Sequence, residues 1–475
     1  MADYDIVVLG GGPGGYATAL YAASAGLTVA LVEANKVGGT CLHRGCIPAK
    51  ALLHAAEVFR TVSHAGEHGV KLPDGVKPEP DWPAANKRKA GIVGNLHKGL
   101  SGLLKRRKVN VVFGWGQLTA DGAVAVTGED GGTQTLSGRA VIICAGSAPR
   151  AIPGMDIDGV KVITSDQSTN SDAEKLPERV AVIGGGVIGA EFASVFTDMG
   201  VKTTLLEALP NPILPLGPDR DVANVLAKSL ARRGLTVHGE ARVGTLEHTG
   251  SGVVVPFETP KGSDKIEVDQ VLVSIGRRPV TEDIGAAEAG VRLTDRGFVD
   301  VDEFCRTGEP GVYAIGDLID TPQLAHVGYA EAILVVKQIL GENPMPVMYD
   351  RVPWAIYCHP EVAWAGPGED ACKQAGIDVV VGKHPYKFNS RAQIVGETEG
   401  MVKVVARKNP DGSAGQVLGV HMVGPWVTEQ LGAGYLAVNW EATVPEVAEF
   451  IQPHPSLSEL FGETMLSLTG RDFNG

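Results

Sequence analysis

Cys41 and Cys46 stand five positions apart in Gly38-Gly39-Thr40-Cys41-Leu42-His43-Arg44-Gly45-Cys46-Ile47-Pro48-Ala49-Lys50. Proline is favoured in a first helical turn, where its missing N–H would have no partner anyway. Pro48 therefore predicts a helix over 49–57, with Leu52, Leu53, Ala56 and the following Phe59 as its apolar residues. Cys46 falls at the N-terminus of that helix, where the macrodipole favours an anion and lowers a thiol pKa. Cys41 falls on the loop before it. Such a pair suits thiol–disulfide exchange. Two inert cysteines, or part of a zinc site, are the other readings of the spacing. Zinc usually takes four ligands, and no second Cys or His pair lies nearby.

A second group with chemical potential is His454-Pro455-Ser456-Leu457-Ser458-Glu459. A carboxylate on one ring nitrogen fixes a histidine's tautomer and orientation, which is what a general acid–base needs. A structural histidine is the alternative.

Both groups need a scaffold, and the chain supplies it twice. A strand over 5–9 runs into Gly10, Gly12 and Gly15, spaced G-x-G-x-x-G; a helix over 16–25 and a strand over 28–32 follow, with Glu33 at the tip. In this unit the glycines serve a tight turn, close approach of a pyrophosphate, and close helix–strand packing, and the acid serves a ribose hydroxyl. The unit recurs as a strand over 179–183, a loop with Gly184, Gly186 and Gly189, and a strand over 202–206 with Glu207 after it. Each acid lies 23 positions after the first glycine, since 33 − 10 and 207 − 184 agree. Each unit closes on an apolar strand, a glycine and a proline three further on: Gly146 with Pro149, and Gly276 with Pro279. Two dinucleotides are expected.

Between these motifs, 153–177 reads as a linker, and Asp121-Gly122 and Asp130-Gly131-Gly132 as hairpin turns. The runs 87–89 and 105–108 are basic and read as solvated helix faces, with no ligand assigned. Gly316-Asp317 ends a further strand, and a helix is expected over 325–340. From about 346 the glycine loops give way to alternating strands and two helices, over 429–438 and 444–450.

The 475 residues suit about three domains, and 44% hydrophobic with 20% charged content suits a large core. A net charge of −13 disfavours nucleic-acid or anionic-membrane partners. The apolar runs are strand-length, too short to span a membrane. Six cysteines at irregular positions do not form a secreted disulfide framework, and a cytoplasmic protein is expected.

Taken together, these motifs resemble the flavin-dependent pyridine nucleotide–disulfide oxidoreductases over essentially the whole chain, and among them the members that oxidise dihydrolipoamide. The resemblance implies an α/β fold with two Rossmann-like domains, 1–152 for FAD and 153–275 for NAD. A central segment, 276–345, would complete the FAD site, and an α+β domain, 346–475, would form a homodimer. It implies FAD contacts at Gly10, Gly12, Gly15, Glu33, Lys50, Gly114, Ala145, Gly146, Ser147, Glu191, Asp317 and Ala325. NAD contacts are implied at Gly184, Gly186, Val187, Ile188, Gly189, Glu207 and Gly276. Lys50 would lie beside the flavin, paired with Glu191. Cys46 would face the flavin and Cys41 the substrate, with His454 and Glu459 supplying the acid–base across the dimer interface. The implied partners are the lipoyl domains and acyltransferase core of 2-oxo acid dehydrogenase complexes.

Where the family often has Asn-Val between the cysteines, this chain has His43-Arg44; Gln452-Pro453 also departs from its small residues. Another disulfide reductase of the family, using NADPH, is disfavoured by Glu207, which would repel a 2′-phosphate. A non-catalytic flavoprotein subunit would need neither cysteine nor His454.

Overall fold

The computed structural model describes residues 2–170 and 174–473. Its first unit opens with β1 (Tyr4–Leu9), α1 (Pro13–Ser24) and β2 (Val29–Glu33). These build a five-stranded sheet in the order Val312–Ala314, Gly138–Ile143, β1, β2, Asn110–Phe113, with every neighbour parallel. Ile6, Val7, Val8, Leu31 and Ile142 are fully buried, as continuous apolar strands covered on both faces should be. The strand before Gly316-Asp317 thus joins the sheet that begins at Tyr4.

The second unit repeats the arrangement. Its parallel sheet runs Thr236–His238, Lys202–Leu206, Arg179–Ile183, Gln270–Val273, Val162–Ile163. The last strand lies within 153–177, so that stretch is more than a linker. It supplies a sheet edge and a short helix, Ser165–Thr169, closed by a capping box between Thr164 and Gln167. The two closing motifs also meet. Ser147–Pro149 pairs antiparallel with Arg277–Pro279, tying one unit to the other.

After β2 come α2 (Gly39–Arg44), α3 (Cys46–Ser63) and α4 (Trp82–Arg106). Asp81 caps α4 by accepting from the Ala84 N–H at 2.9 Å. The run 87–89 does not lie wholly in solvent. Lys89 is buried, and its ammonium donates to Asn86 Oδ1 at 2.7 Å and to the Thr169 carbonyl. A three-stranded antiparallel meander follows, turning at 119–123 and 128–132 as its Asp-Gly pairs predict.

The last region is a five-stranded antiparallel sheet covered by the helices Val427–Asn439, Val444–Ala448 and Glu459–Ser467. A buried charge cluster ties it to the second unit. Lys403 is 2% exposed and donates to Asp219, Asp221 and Glu369 at 2.8, 2.8 and 2.9 Å. Among the described residues no helix is long and apolar enough to cross a membrane.

Candidate functional site

Cys41 and Cys46 are joined as a disulfide with their Cα atoms 4.6 Å apart. Cys46 is the first residue of α3, so the helix starts three residues earlier than Pro48 suggested. Pro48 is its third residue, still among the positions whose N–H lacks an intrahelical acceptor. Cys41 is not on a loop. Gly38 and Gly39 take φ of +112° and +57°, which turns the chain into α2, and Cys41 lies within that six-residue helix. A sulfur released at Cys46 sits at the positive end of an 18-residue helix, whereas Cys41 has no comparable dipole behind it.

Lys50 lies one turn further along α3. Its ammonium donates to Glu191 Oε2 at 2.7 Å, and Glu191 also accepts the Tyr357 N–H at 3.1 Å. Glu191 belongs to the helix Val187–Asp198 of the second unit and is 4% exposed. Three regions of the chain therefore converge on one carboxylate. Tyr357 was missed by the sequence reading; its ring also faces the Lys50 ammonium, 5.1 Å from the centroid. No local motif marks it.

The two glycine loops have matching geometry. A Cβ on Gly15 would lie 1.8 Å from the Gly10 carbonyl oxygen, and one on Gly189 would lie 1.8 Å from that of Gly184. Gly12 and Gly186 stand at the N-caps of their helices. Val187 and Ile188 open the second helix, whose free N–H groups suit a phosphate. Glu33 accepts the Gly11 N–H at 2.8 Å and Glu207 the Gly185 N–H at 2.7 Å, so each acid is fixed against its loop. Gly114 follows the strand beside β2 and donates to the Glu33 carbonyl at 3.0 Å. A helix packed so closely on its strand that no Cβ fits at Gly15 or Gly189, with an oriented acid on each loop, fits a dinucleotide in both units.

Asp317 is held from several sides. Ser147 donates to its Oδ2 at 2.6 Å, and Arg277 donates to Ser147 Oγ and to the Ser147 carbonyl, both at 2.7 Å. Arg277 was also missed, although it directly follows the closing Gly276. Ala145 and Gly146, at φ +77°, form the turn before Ser147. Behind this lies Glu331, fully buried on the helix Ala325–Ile339. Its carboxylate accepts from the Gly316 N–H at 2.6 Å and from the Thr321 and Tyr349 hydroxyls at 2.9 and 3.0 Å. Burial outweighs these bonds and pushes its pKa up to about 7.

His454 and Glu459 meet as their spacing suggested. Glu459 Oε1 lies 2.8 Å from His454 Nδ1, and its Oε2 accepts the Ser456 N–H at 2.6 Å. A carboxylate can only accept here, so Nδ1 carries the hydrogen and Nε2 is the basic nitrogen. The His454 side chain is 70% exposed, and Ile451 nearby is 98% exposed. The oriented imidazole thus stands close in sequence to exposed apolar residues, Phe450 and Ile451.

The family model described as pyridine nucleotide-disulphide oxidoreductase matches residues 4–332, and that described as its dimerisation domain matches 352–465. Among curated proteins, the dihydrolipoyl dehydrogenase of Bacillus subtilis is 39% identical, over 99% of this chain and 98% of the relative. Dihydrolipoyl dehydrogenase 3 of Pseudomonas putida is 38% identical over 99% of both chains. Among solved structures, LpdA from Mycobacterium tuberculosis superposes with a TM-score of 0.89 at 28% identity, covering 98% of this chain and 99% of that one. RclA from Escherichia coli, a HOCl-induced flavoprotein disulfide reductase, gives 0.84 at 25% identity, with 97% and 99% covered.

Proposed function

Because the chain belongs to the pyridine nucleotide-disulphide oxidoreductase family, a homodimeric group of flavin enzymes, we propose that it oxidises protein-bound dihydrolipoamide to lipoamide and reduces NAD+. The observation that carries this reading is the disulfide at the head of α3 together with the oriented His454–Glu459 pair. Full-length relatives named dihydrolipoyl dehydrogenase support it.

In this reading Nε2 of His454 of the partner subunit takes the proton of one substrate thiol. The thiolate attacks Cys41, the Cys41–Cys46 bond breaks, and Cys46 leaves as a thiolate stabilised by the α3 dipole. The second substrate thiol attacks the substrate sulfur of the mixed disulfide and gives its proton to Cys41, which leaves as a thiol, so lipoamide departs and two electrons remain on the cysteines. FAD held by Gly10, Gly12, Gly15, Glu33, Lys50, Gly114, Ala145–Ser147, Glu191, Asp317 and Ala325 would supply the two-electron step to NAD+. Gly184, Gly186–Gly189, Glu207 and Gly276 would hold the pyridine nucleotide. Glu207 favours a free 2′-hydroxyl over a 2′-phosphate, hence NAD over NADP.

The protein would serve 2-oxo acid dehydrogenase complexes in the cytoplasm. The unpaired, buried Cys144, Cys305, Cys358 and Cys372 support a reducing compartment. His454→Gln tests the reading. Lipoamide turnover is expected to fall about 10²–10⁴-fold, while NADH oxidation by a quinone, which bypasses the disulfide, survives. Equal loss of both would make His454 structural and remove the acid–base from the scheme.

A further inference from the structure

Residues 82–120 contain eight Lys and Arg and no Asp or Glu, in a chain whose net charge is −13. The remainder therefore carries −13 − 8 = −21. Most of this positive charge lies on α4. Lys87, Arg88, Lys98, Lys105 and Arg106 are exposed, and none forms an ion pair among the described residues. At about 100° per residue, Lys87, Lys98 and Lys105 fall in one row along the helix, with Arg88 and Arg106 in a second row beside it. The first row spans about 27 Å at 1.5 Å per residue. The sequence reading assigned these residues to solvent. An uncompensated row of cations is costly to keep in one place, because like charges along a helix repel.

The place of this face suggests its use. A cavity of about 700 Å³ separates α4 from α2, the helix that carries Cys41. Its walls include Lys36, His43, Arg44 and His97, and it reaches Glu33 and Gly39 of the first glycine-loop unit. The His43 and His97 rings meet edge to face at 5.1 Å, so the cysteine segment and α4 touch directly. A macromolecule drawn to α4 is thereby brought beside the disulfide, while the strongly negative remainder of the chain repels the same molecule elsewhere.

We propose that the basic face of α4 docks the acidic surface of the domain that bears the dihydrolipoyl group, and so steers that group to the Cys41–Cys46 disulfide. The proposal rests on the dihydrolipoamide reading above and adds the surface by which a protein-bound substrate is preferred to the free one. A protein domain fits better than nucleic acid, since the face adjoins a thiol-exchange site and the whole chain is acidic.

The test uses the holoenzyme carrying Arg88→Glu, Lys98→Glu and Lys105→Glu, none of which lines the cavity or a glycine loop. The probe is an isolated lipoylated domain of net negative charge, in its reduced form, at low ionic strength. For this substrate kcat/KM is expected to fall at least about tenfold, and the salt dependence seen with the wild-type enzyme to flatten. The matching Gln variant should lie between the two. Free dihydrolipoamide should be oxidised within about twofold of wild type, because exposed charges alone contribute little to stability.

Unchanged kcat/KM for the domain overturns the docking and leaves the reaction standing. So does a loss of equal size with free dihydrolipoamide. If the wild-type enzyme oxidises neither substrate, the dihydrolipoamide reading itself falls and the docking falls with it. If wild type but not the variant retains RNA or phosphatidylserine vesicles, with domain turnover equal, the face serves another polyanion and the proposal is wrong.

Discussion

The two glycine-loop units are built to one plan and fastened in opposite ways. Both have parallel strands, a glycine whose Cβ would strike its own loop at 1.8 Å, and an acid fixed to the loop N–H. In the first unit the supporting group is a carboxylate among neutral donors: Glu331 holds the Gly316 N–H behind Asp317. The second unit is clasped instead by a cation among carboxylates: Lys403, on the sheet of the last region, holds Asp219 and Asp221 of that unit beside its own region's Glu369. A nucleotide cradle is thus a local, repeatable device. What distinguishes the two cradles is what the rest of the chain attaches to each: the cysteine helices to the first, the Lys403 cluster to the second.

The clamp is where the largest effect is expected. Lys403→Met leaves the buried Asp219 without its cation, while Asp221 and Glu369 keep Lys383 and Lys373, and the unpaired buried carboxylate costs about 3 kcal/mol. Loss should appear as a lowered unfolding midpoint in denaturant, with flavin absorbance per folded subunit unchanged. A destabilisation below about 1 kcal/mol would mean that Asp219 finds another partner or water, as exposed pairs do. Acid should reveal the same cluster. Burial raises the Asp221 pKa, but the ammoniums of Lys383 and Lys403 outweigh it and hold the carboxyl down at about 2. A depressed acid contributes stability above its unfolded value of 3.8, lost as pH falls through about 2. The variant should therefore unfold at a higher pH than wild type on acidification.

The paired glycines test whether the cradles are independent. Gly15→Ala should release flavin on gel filtration and cost about 10²-fold in every activity, since displacement of a positioned group by about 1 Å has that effect. Gly189→Ala should keep the flavin and raise the KM for NADH by a similar factor. Flavin loss in both would show that the units fold as one and would erase the distinction.

Glu331 offers a smaller and oppositely signed pH effect. Its pKa in the folded chain is about 7 against an ordinary 4.5. A raised acid contributes stability that is present below about 4.5 and lost as pH rises through about 7. Glu331→Gln should remove that slope, gaining roughly 1–2 kcal/mol at pH 8 relative to wild type after both are matched at pH 5. A variant whose pH profile parallels wild type would show that Glu331 is not the source.

The mildest change is expected at the second cradle's acid. Glu207→Gln keeps a hydrogen-bonding oxygen for the Gly185 N–H but removes the charge that opposes a 2′-phosphate. The ratio of kcat/KM for NADH over NADPH should narrow by about three- to tenfold. No narrowing would place nucleotide selectivity outside this residue.

Much of this was written in local order along the chain. Spacing carried the two G-x-G-x-x-G loops and both acids, and it placed Cys41 near Cys46 and His454 near Glu459 while the resemblance chose between their readings, because each depends on residues within one turn or one strand–helix unit. Glu191 and Lys50 are 141 positions apart, yet the family resemblance paired them and their contact is 2.7 Å. Other features lay beyond that reach. Cys41 was expected on a loop because six residues give little periodicity; two left-handed glycines made a helix of them. Lys89 was read as solvated because it stands in a basic run, but the turn of α4 points it at the Thr169 carbonyl.

The sequence by itself therefore determined the glycine loops with their acids, the cysteine pair and the oriented histidine, whose partners lie within a few residues or within one strand–helix–strand unit of one another. Only the tertiary structure decided how these parts are held. The strand carrying Gly316-Asp317 joins a sheet begun at Tyr4, and the two closing motifs pair as strands. Tyr357 and Arg277 complete contacts to residues more than 100 positions away. Such contacts depend on apolar burial that brings distant segments together, and burial constrains total shape rather than local spacing, so no short pattern records it.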